Sequence, residues 1–297
     1  MMHTVFDFCE YVGMPKPYTD AYTEADRALC EAGAEGELDA AVERIFTDKA
    51  VRTADIVKPL EVYCERTGLS PYTLHGVFVI RGFLAQREDY IATYGEEVYH
   101  DTARDLVYKT AECEASDDVI GTVSISWYNN LLRRDIFALG RLQYHVIPFR
   151  FESYEKNGLS LKQGDPILNI HIPSAGKLTE ELCFDSYRRA YRFFRDRFAG
   201  ELMPFSCRSW MLYEKNLEYF PAGGNLARFM SDFDLVEHLE DEGNQNVWRI
   251  YGKRYTDYTE LPRDNTLRAT LADYLLAGKR MGWGHGIFAH NGERIVR

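Results

Sequence analysis

The apolar positions of this chain change period about halfway along it. From Thr23 to about Cys113 they recur three and four residues apart, with glycines and prolines punctuating the runs. That is the spacing by which an amphipathic helix buries one face. It predicts helices over residues 38–46, 54–64 and 71–84. Ser70 and Pro71 supply an N-cap and a first-turn proline, while Gly68 and Gly95 supply stops. Beyond Gly140 the runs become short or alternating and are separated by Gly, Pro, Asn and Asp, which predicts strands near residues 141–151, 166–172, 205–212, 247–251 and 284–290. Helices are expected between them, at 179–198, about 225–233, and 265–276. The fold class is therefore α+β or mixed α/β: an all-α N-terminal domain, residues 1–130, followed by a mixed-sheet domain, residues 131–297. The change of pattern falls between residues 118 and 139.

The helix at 179–198 is the most fully specified element. Thr179 can cap it, and Phe184, Tyr187, Tyr191, Phe194 and Phe198 form one stripe opposite Arg188, Arg189, Arg192 and Arg195. That stripe is most simply the face that packs on a sheet. The strand before it, Leu168 to Ile172, alternates so that Asn169 and His171 share one face. A histidine at a strand end is a candidate general base, since its ordinary pKa lies near neutrality; the simpler reading is that it only hydrogen-bonds Asn169. Between strand and helix lie Ser174, Ala175, Gly176 and Lys177, whose amides and ammonium are candidates to hold an anion. This is not a nucleotide-triphosphate loop, because the flanking glycines and the following Ser or Thr are missing. Glu180 and Glu181 already occupy the positive end of the helix. Cys207 and Ser209 share a face of the next strand; Cys207 is a candidate nucleophile if His171 lies beside it, and Ser209 a candidate substrate contact. Gly282, Gly284 and Gly286 read as a turn into the last strand rather than as a dinucleotide fingerprint.

Charge is divided unevenly. Up to Asp118 there are 24 acidic and 11 basic residues, and from Val119 onward 22 and 24. An acidic first half argues against a nucleic-acid partner, so an anionic ligand belongs to the second half. The 297 residues, 45% hydrophobic and 27% charged, have the composition of a globular protein. No run approaches the ~20 apolar residues of a membrane span, and the first residues lack the regions of a signal peptide, so a cytoplasmic protein is expected. Six scattered cysteines show no paired spacing, which predicts free thiols and no structural metal site.

Several strings together carry a resemblance: GRLQY at 140–144, LNIHIPSAGKL at 168–178, Asp185 and Ser186 with Phe193 and Phe194 in the following helix, CRSW at 207–210, and LPRDNTLRATL at 261–271. The chain resembles a two-domain family of bacterial acyltransferases, in which a helical N-acyltransferase N-terminal domain precedes a GNAT-like C-terminal domain. The resemblance implies an acyl-CoA-dependent N-acyltransferase, with acetyl-CoA or another acyl-CoA as co-substrate and no metal. It implies that residues 174–177 approach the CoA pyrophosphate and that the strand ending at Ile172 is the splayed central strand. His171 would take a proton from a small-molecule amine or a peptide acceptor, and Asn169 would orient His171 or the acceptor. Two departures stand out: the glycine-rich loop pattern of that fold is reduced here to Pro173–Leu178, and no tyrosine occupies the usual position of the general acid. A GNAT-like domain that binds ligand without catalysis is the alternative, and a scaffold whose acidic half holds a basic partner is a third.

Overall fold

The computed structural model describes residues 3–296. The chain divides into two compact units, residues up to 138 and from 139 onward. Each is built as its sequence pattern dictates.

The first unit is helical, with helices Val5–Tyr11, Lys16–Glu31, Glu35–Thr47, Pro71–Tyr94 and Asp105–Asp117 among its longer elements. Pro71–Tyr94 is the central one, and every residue from Thr73 to Ile80 is buried. Its start is fixed by the Ser70 Oγ, which accepts the Tyr72 N–H at 3.2 Å, and Gly95, at φ +91°, ends it. The helix runs ten residues past the expected end, because Gln86 and Tyr90 continue the buried stripe. The helix expected over 54–64 is broken in two, Thr53–Val57 and Val62–Thr67, by a 3₁₀ turn at Lys58–Glu61. Pro59 lacks an N–H and crowds the carbonyl four residues back, so it cannot sit inside a continuous α-helix.

The second unit carries the sheet. The strands are β1 (Ile136–Leu139, in which the division falls), β2 (Leu142–Pro148), β3 (Ser153–Lys156), β4 (Leu159–Lys162), β5 (Pro166–His171), β6 (Met203–Ser209), β7 (Asp234–Glu240), β8 (Gly282–His290) and β9 (Ile295–Val296). Their order among the described residues is β1-β2-β5-β6-β8-β7, with β9 pairing β8 and a separate β3–β4 hairpin. The β5–β6 pair is parallel, whereas β2–β5, β6–β8 and β7–β8 are antiparallel.

Three strand expectations are corrected. Residues 247–251 form a short helix, Trp248–Tyr251, because Val247 and Tyr251, four apart, are both buried and Gly252 closes the turn at φ +81°. The strand of that region is instead β7, whose sequence DLVEHLE lies on a sheet edge, half-buried at first and then exposed, and shows no apolar run. The segment 205–212 stops being strand at Ser209, whose Oγ accepts the Met211 N–H and starts a 3₁₀ turn. Finally, Gly282, Gly284 and Gly286 lie within β8 rather than in a turn before it. A Cβ on Gly284 would collide with the Leu212 carbonyl, and one on Gly286 would lie 2.5 Å from the Phe233 Cβ. Those glycines let two segments pack directly on the strand backbone.

The β5–β6 pair positions the site. These strands pair only at Leu168↔Phe205 and Asn169↔Ser206. Beyond that, β5 continues to His171 and β6 to Ser209, still paired with β8 as far as Ser209↔Gly284. The parallel ladder therefore opens at the carboxyl ends of both strands while each remains anchored on its outer side, β5 by β2 and β6 by β8.

Candidate active site

Cross-strand partners lie on the same face of a sheet, and neighbours along a strand alternate. This assigns every side chain near the opening. One face carries Tyr144, Ile170, Phe205, Cys207, Ser209 and Phe288, and the helix Glu180–Phe194 covers it through its buried Cys183, Ser186, Tyr187, Ala190 and Phe194. There the polar groups are paired, His290 Nε2 apart. The Ser186 hydroxyl donates to the Leu139 carbonyl at 2.6 Å and accepts from the Tyr144 hydroxyl at 2.8 Å. Phe205 and Phe288 stack at 4.9 Å.

The opposite face is polar at the level of the opening. Gln143 of β2 pairs with His171 of β5. His171 lies two residues past the last β5–β6 pair, at the level of Arg208 of β6; Arg208 pairs with His285 of β8, and His285 with Glu237 of β7. Gln143, His171, Arg208, His285 and Glu237 thus form one row across the sheet. Arg150 closes its far end, pairing with the Glu237 carboxylate and donating from Nε to His285 Nδ1 at 3.2 Å. In the next row Ser206 Oγ donates to Asn169 Oδ1 at 3.4 Å, and Asn169 Nδ2 donates to His171 Nε2 at 3.2 Å. With the amide nitrogen turned toward the ring, His171 Nε2 is the acceptor and so the unprotonated nitrogen. His145 stacks on His171, ring centroids 6.2 Å apart.

Burial separates the histidines. His285 is 6% exposed, and burial, aided by Arg150, lowers its pKa to about 4. It is neutral at physiological pH, and because Nδ1 accepts from Arg150, its proton sits on Nε2. His171 is only partly buried.

After β5 the loop residues Pro173–Leu178 are folded onto Arg141, whose guanidinium donates to the carbonyls of Pro173 (3.0 Å), Gly176 (2.9 Å) and Lys177 (3.1 Å). Gly176 takes φ +83°, a conformation that favours glycine. With its carbonyls gathered by one cation, the loop is held in a defined shape. Lys177 is exposed and has no ion-pair partner among the described residues. The Thr179 hydroxyl caps the following helix through the Leu182 N–H, and Glu180 lies 3.6 Å from Arg228.

The expected partnership of Cys207 with His171 does not form. The register places Cys207 with Phe205 on the covered face and His171 with Asn169 on the other. Cys207 is 1% exposed, and burial raises its thiol pKa, the reverse of what a thiolate nucleophile needs. Ser209, on the same covered face, uses its Oγ as a turn cap. The structure therefore brings together His171 and Asn169 but not Cys207 and Ser209. Sequence reasoning missed Gln143, Arg208, His285 and Glu237 as companions of His171. For Gln143, Arg208 and His285 the alternation was legible strand by strand, but the strand of Glu237 was not expected, and the register that aligns all four was not legible.

The described residues include no helix long and apolar enough to cross a membrane, and no group of three or more His, Cys, Asp or Glu able to hold a metal ion.

Comparison with known proteins places this arrangement. No curated protein matches the chain. Among solved structures, an acyltransferase in complex with decanoyl-CoA is similar at a TM-score of 0.74 and 22% identity, over 95% of this chain and 86% of that one. An acyltransferase in complex with decanoyl-CoA and teicoplanin is similar at 0.71 and 20%, over the same shares. At these identities the likeness is one of fold. The family described as the GNAT-like C-terminal domain matches residues 136–288, a segment that runs from β1 into β8 and contains the opened β5–β6 pair. The chain belongs to this GNAT-like family.

Proposed function

We propose that the protein is an acyl-CoA-dependent N-acyltransferase that transfers its acyl group to an amine by direct attack, with His171 as general base. The observation that carries this reading is the opening between β5 and β6, with a histidine lacking a proton at Nε2 on the polar face beside it. An extended acyl-CoA arm can enter such an opening and hydrogen-bond the strand edges, and the similar solved acyltransferases hold decanoyl-CoA. The loop at Ser174, Ala175, Gly176 and Lys177 suits the pyrophosphate: its carbonyls are tied to Arg141 and an unpartnered ammonium stands on it.

In this reading the acceptor amine replaces the Asn169 amide at His171 Nε2 and gives up a proton as it attacks the thioester carbonyl. The C–N bond forms, a strand N–H steadies the oxyanion, and the C–S bond then breaks to release CoA thiolate. Asn169, held by Ser206, keeps the imidazole in the receptive tautomer until the amine arrives. Cys207 has no part in it.

The test combines binding with turnover. Decanoyl-CoA and acetyl-CoA should raise the melting temperature by mass action, and Lys177→Ala should weaken that shift. Release of CoA thiol in the presence of amines should fall by about 10² to 10⁴ in His171→Gln, with the melting shift intact. Binding without thiol release on any amine would make the chain a ligand-binding module, and the absence of any CoA-dependent shift would end both readings.

A further inference from the structure

Two donors in the polar row have no counterpart. Arg208 is exposed, its guanidinium lies over the Trp283 ring at 5.9 Å, and no carboxylate pairs with it among the described residues. Its cross-strand neighbour His285 is 94% buried, as its 6% exposure states, and its Nε2 has no hydrogen-bond partner. That nitrogen bears the proton, because Arg150 donates to Nδ1. The charged groups acting on His285 are Arg150, Glu237 and Arg208. The first two neutralise each other as an ion pair, so one uncompensated positive charge remains, at Arg208. A buried N–H without an acceptor costs stability, and a guanidinium resting on an aromatic ring beside it is already oriented. Glu237, the carboxylate in this row, is engaged by Arg150 and offers no charge to Arg208.

We infer that Arg208 and His285 form a subsite for a carboxylate, and that the acceptor is an amine carrying a carboxylate within a few bonds of the nitrogen. The inference rests on the acyltransferase reading and adds the substrate class. Arg208 stands at the level of His171 on the neighbouring strand, about one strand spacing, ~5 Å, away before the opening of the pair is added. A carboxylate oxygen shared by the Arg208 fork and the His285 N–H would leave an amine on the same small molecule within reach of His171. A guanidinium offers paired N–H groups in a plane that matches a carboxylate, and lysine does not.

Phenylglycine and benzylamine separate the two groups, since they share the ring and the amine and differ in the carboxylate. Titration calorimetry on the complex with CoA should show phenylglycine binding about 10- to 100-fold more tightly than benzylamine. Arg208→Gln should remove that preference without weakening benzylamine, and Arg208→Lys should restore only part of it. With decanoyl-CoA, the same variant should raise KM for phenylglycine and leave kcat within a few-fold. Equal binding of the two amines, or no binding of phenylglycine at millimolar concentration, would overturn the subsite. So would an Arg208→Gln effect on CoA affinity alone, which would assign the cation to a phosphate of the co-substrate. If phenylglycine binds in an Arg208-dependent way and yet no amine ever releases CoA thiol, the subsite stands and the acyltransferase reading falls.

Discussion

The two faces of the β5–β6–β8 sheet are made by the same strands, residue by residue in alternation, and they differ in what was done with their polar groups. On the face under the helix Glu180–Phe194, polar atoms are few and, His290 Nε2 apart, matched: one serine hydroxyl serves Leu139, Tyr144 and the Leu142 N–H, and the Tyr187 hydroxyl donates to Asp232 at 3.1 Å. Across the sheet, side chains from five strands meet in a row with a cation and a buried N–H left over. A stable core removes such groups because an unsatisfied buried donor is costly. The covered face keeps one such nitrogen, His290 Nε2, whereas the polar face combines its buried N–H with a guanidinium that no carboxylate pairs among the described residues, beside the opening at His171; that combination marks it as the working face, and stability and activity should therefore separate by face.

The sharpest break of this comparison is Phe205→Ala. Phe205 is 0% exposed, stacks on Phe288 at 4.9 Å and meets Tyr144 and Tyr187 edge-on. Its truncation should cost about 3–5 kcal/mol in urea unfolding, while any protein that remains folded keeps its CoA affinity within a few-fold. A loss below 1 kcal/mol would mean that this face is not the one that holds the unit together.

Much of this was legible in the sequence, but unequally. The helix Glu180–Phe194 and the caps at Ser70 and Thr179 follow from local spacing and local hydrogen bonds. So did the sharing of a face by Asn169 and His171, since alternation is a property of one strand. The edge strand β7 was hidden because exposure on a sheet edge allows Glu and His where an apolar run was sought. The helix Trp248–Tyr251 was mistaken for a strand because four aromatic and branched residues among five, Val247 to Tyr251, fit either state. What could not be read was register. Whether Cys207 meets His171 or turns its back on it depends on a shift of one residue between β5 and β6, and no single-strand pattern fixes that. The same shift decides whether Arg208 lines up with His171.

A smaller effect sharpens the comparison, because each face holds one buried histidine. His285 lies in the polar row and His290 on the covered face against Tyr187 and Phe205; burial lowers both to about 4. The unfolded chain binds a proton at each near pH 6.5 and the folded chain does not, so stability should be full above that value and fall as the pH drops toward 4. Between pH 6.5 and 5 each site should account for roughly 2 kcal/mol. Urea midpoints across this range, for the protein and for His290→Asn and His285→Asn, should show the slope reduced by one proton in each variant. If His290→Asn leaves the slope unchanged, that histidine already carries its proton and the covered face is not dry.

The smallest effect tests the division most directly. Cys207 sits on β6 between two residues of the working face, Ser206 and Arg208, yet its own side chain is sealed on the opposite face. Cys207→Ala removes one sulfur from a packed core and should cost about 1 kcal/mol, near the worth of a buried methylene. Backbone pairing with Gly286 involves no side chain and should survive, so Arg208 and His171 should keep their places and the rate of CoA thiol release should stay within twofold. A loss of a hundredfold or more with an unchanged melting temperature would require the thiol to act in the reaction. Since its pKa is raised by burial, that could happen only if the strand turned over, exchanging the two faces. Register and chemistry are thus bound together: the residue one position along the strand from Arg208 is inert only because the side chains of a strand point alternately to its two sides.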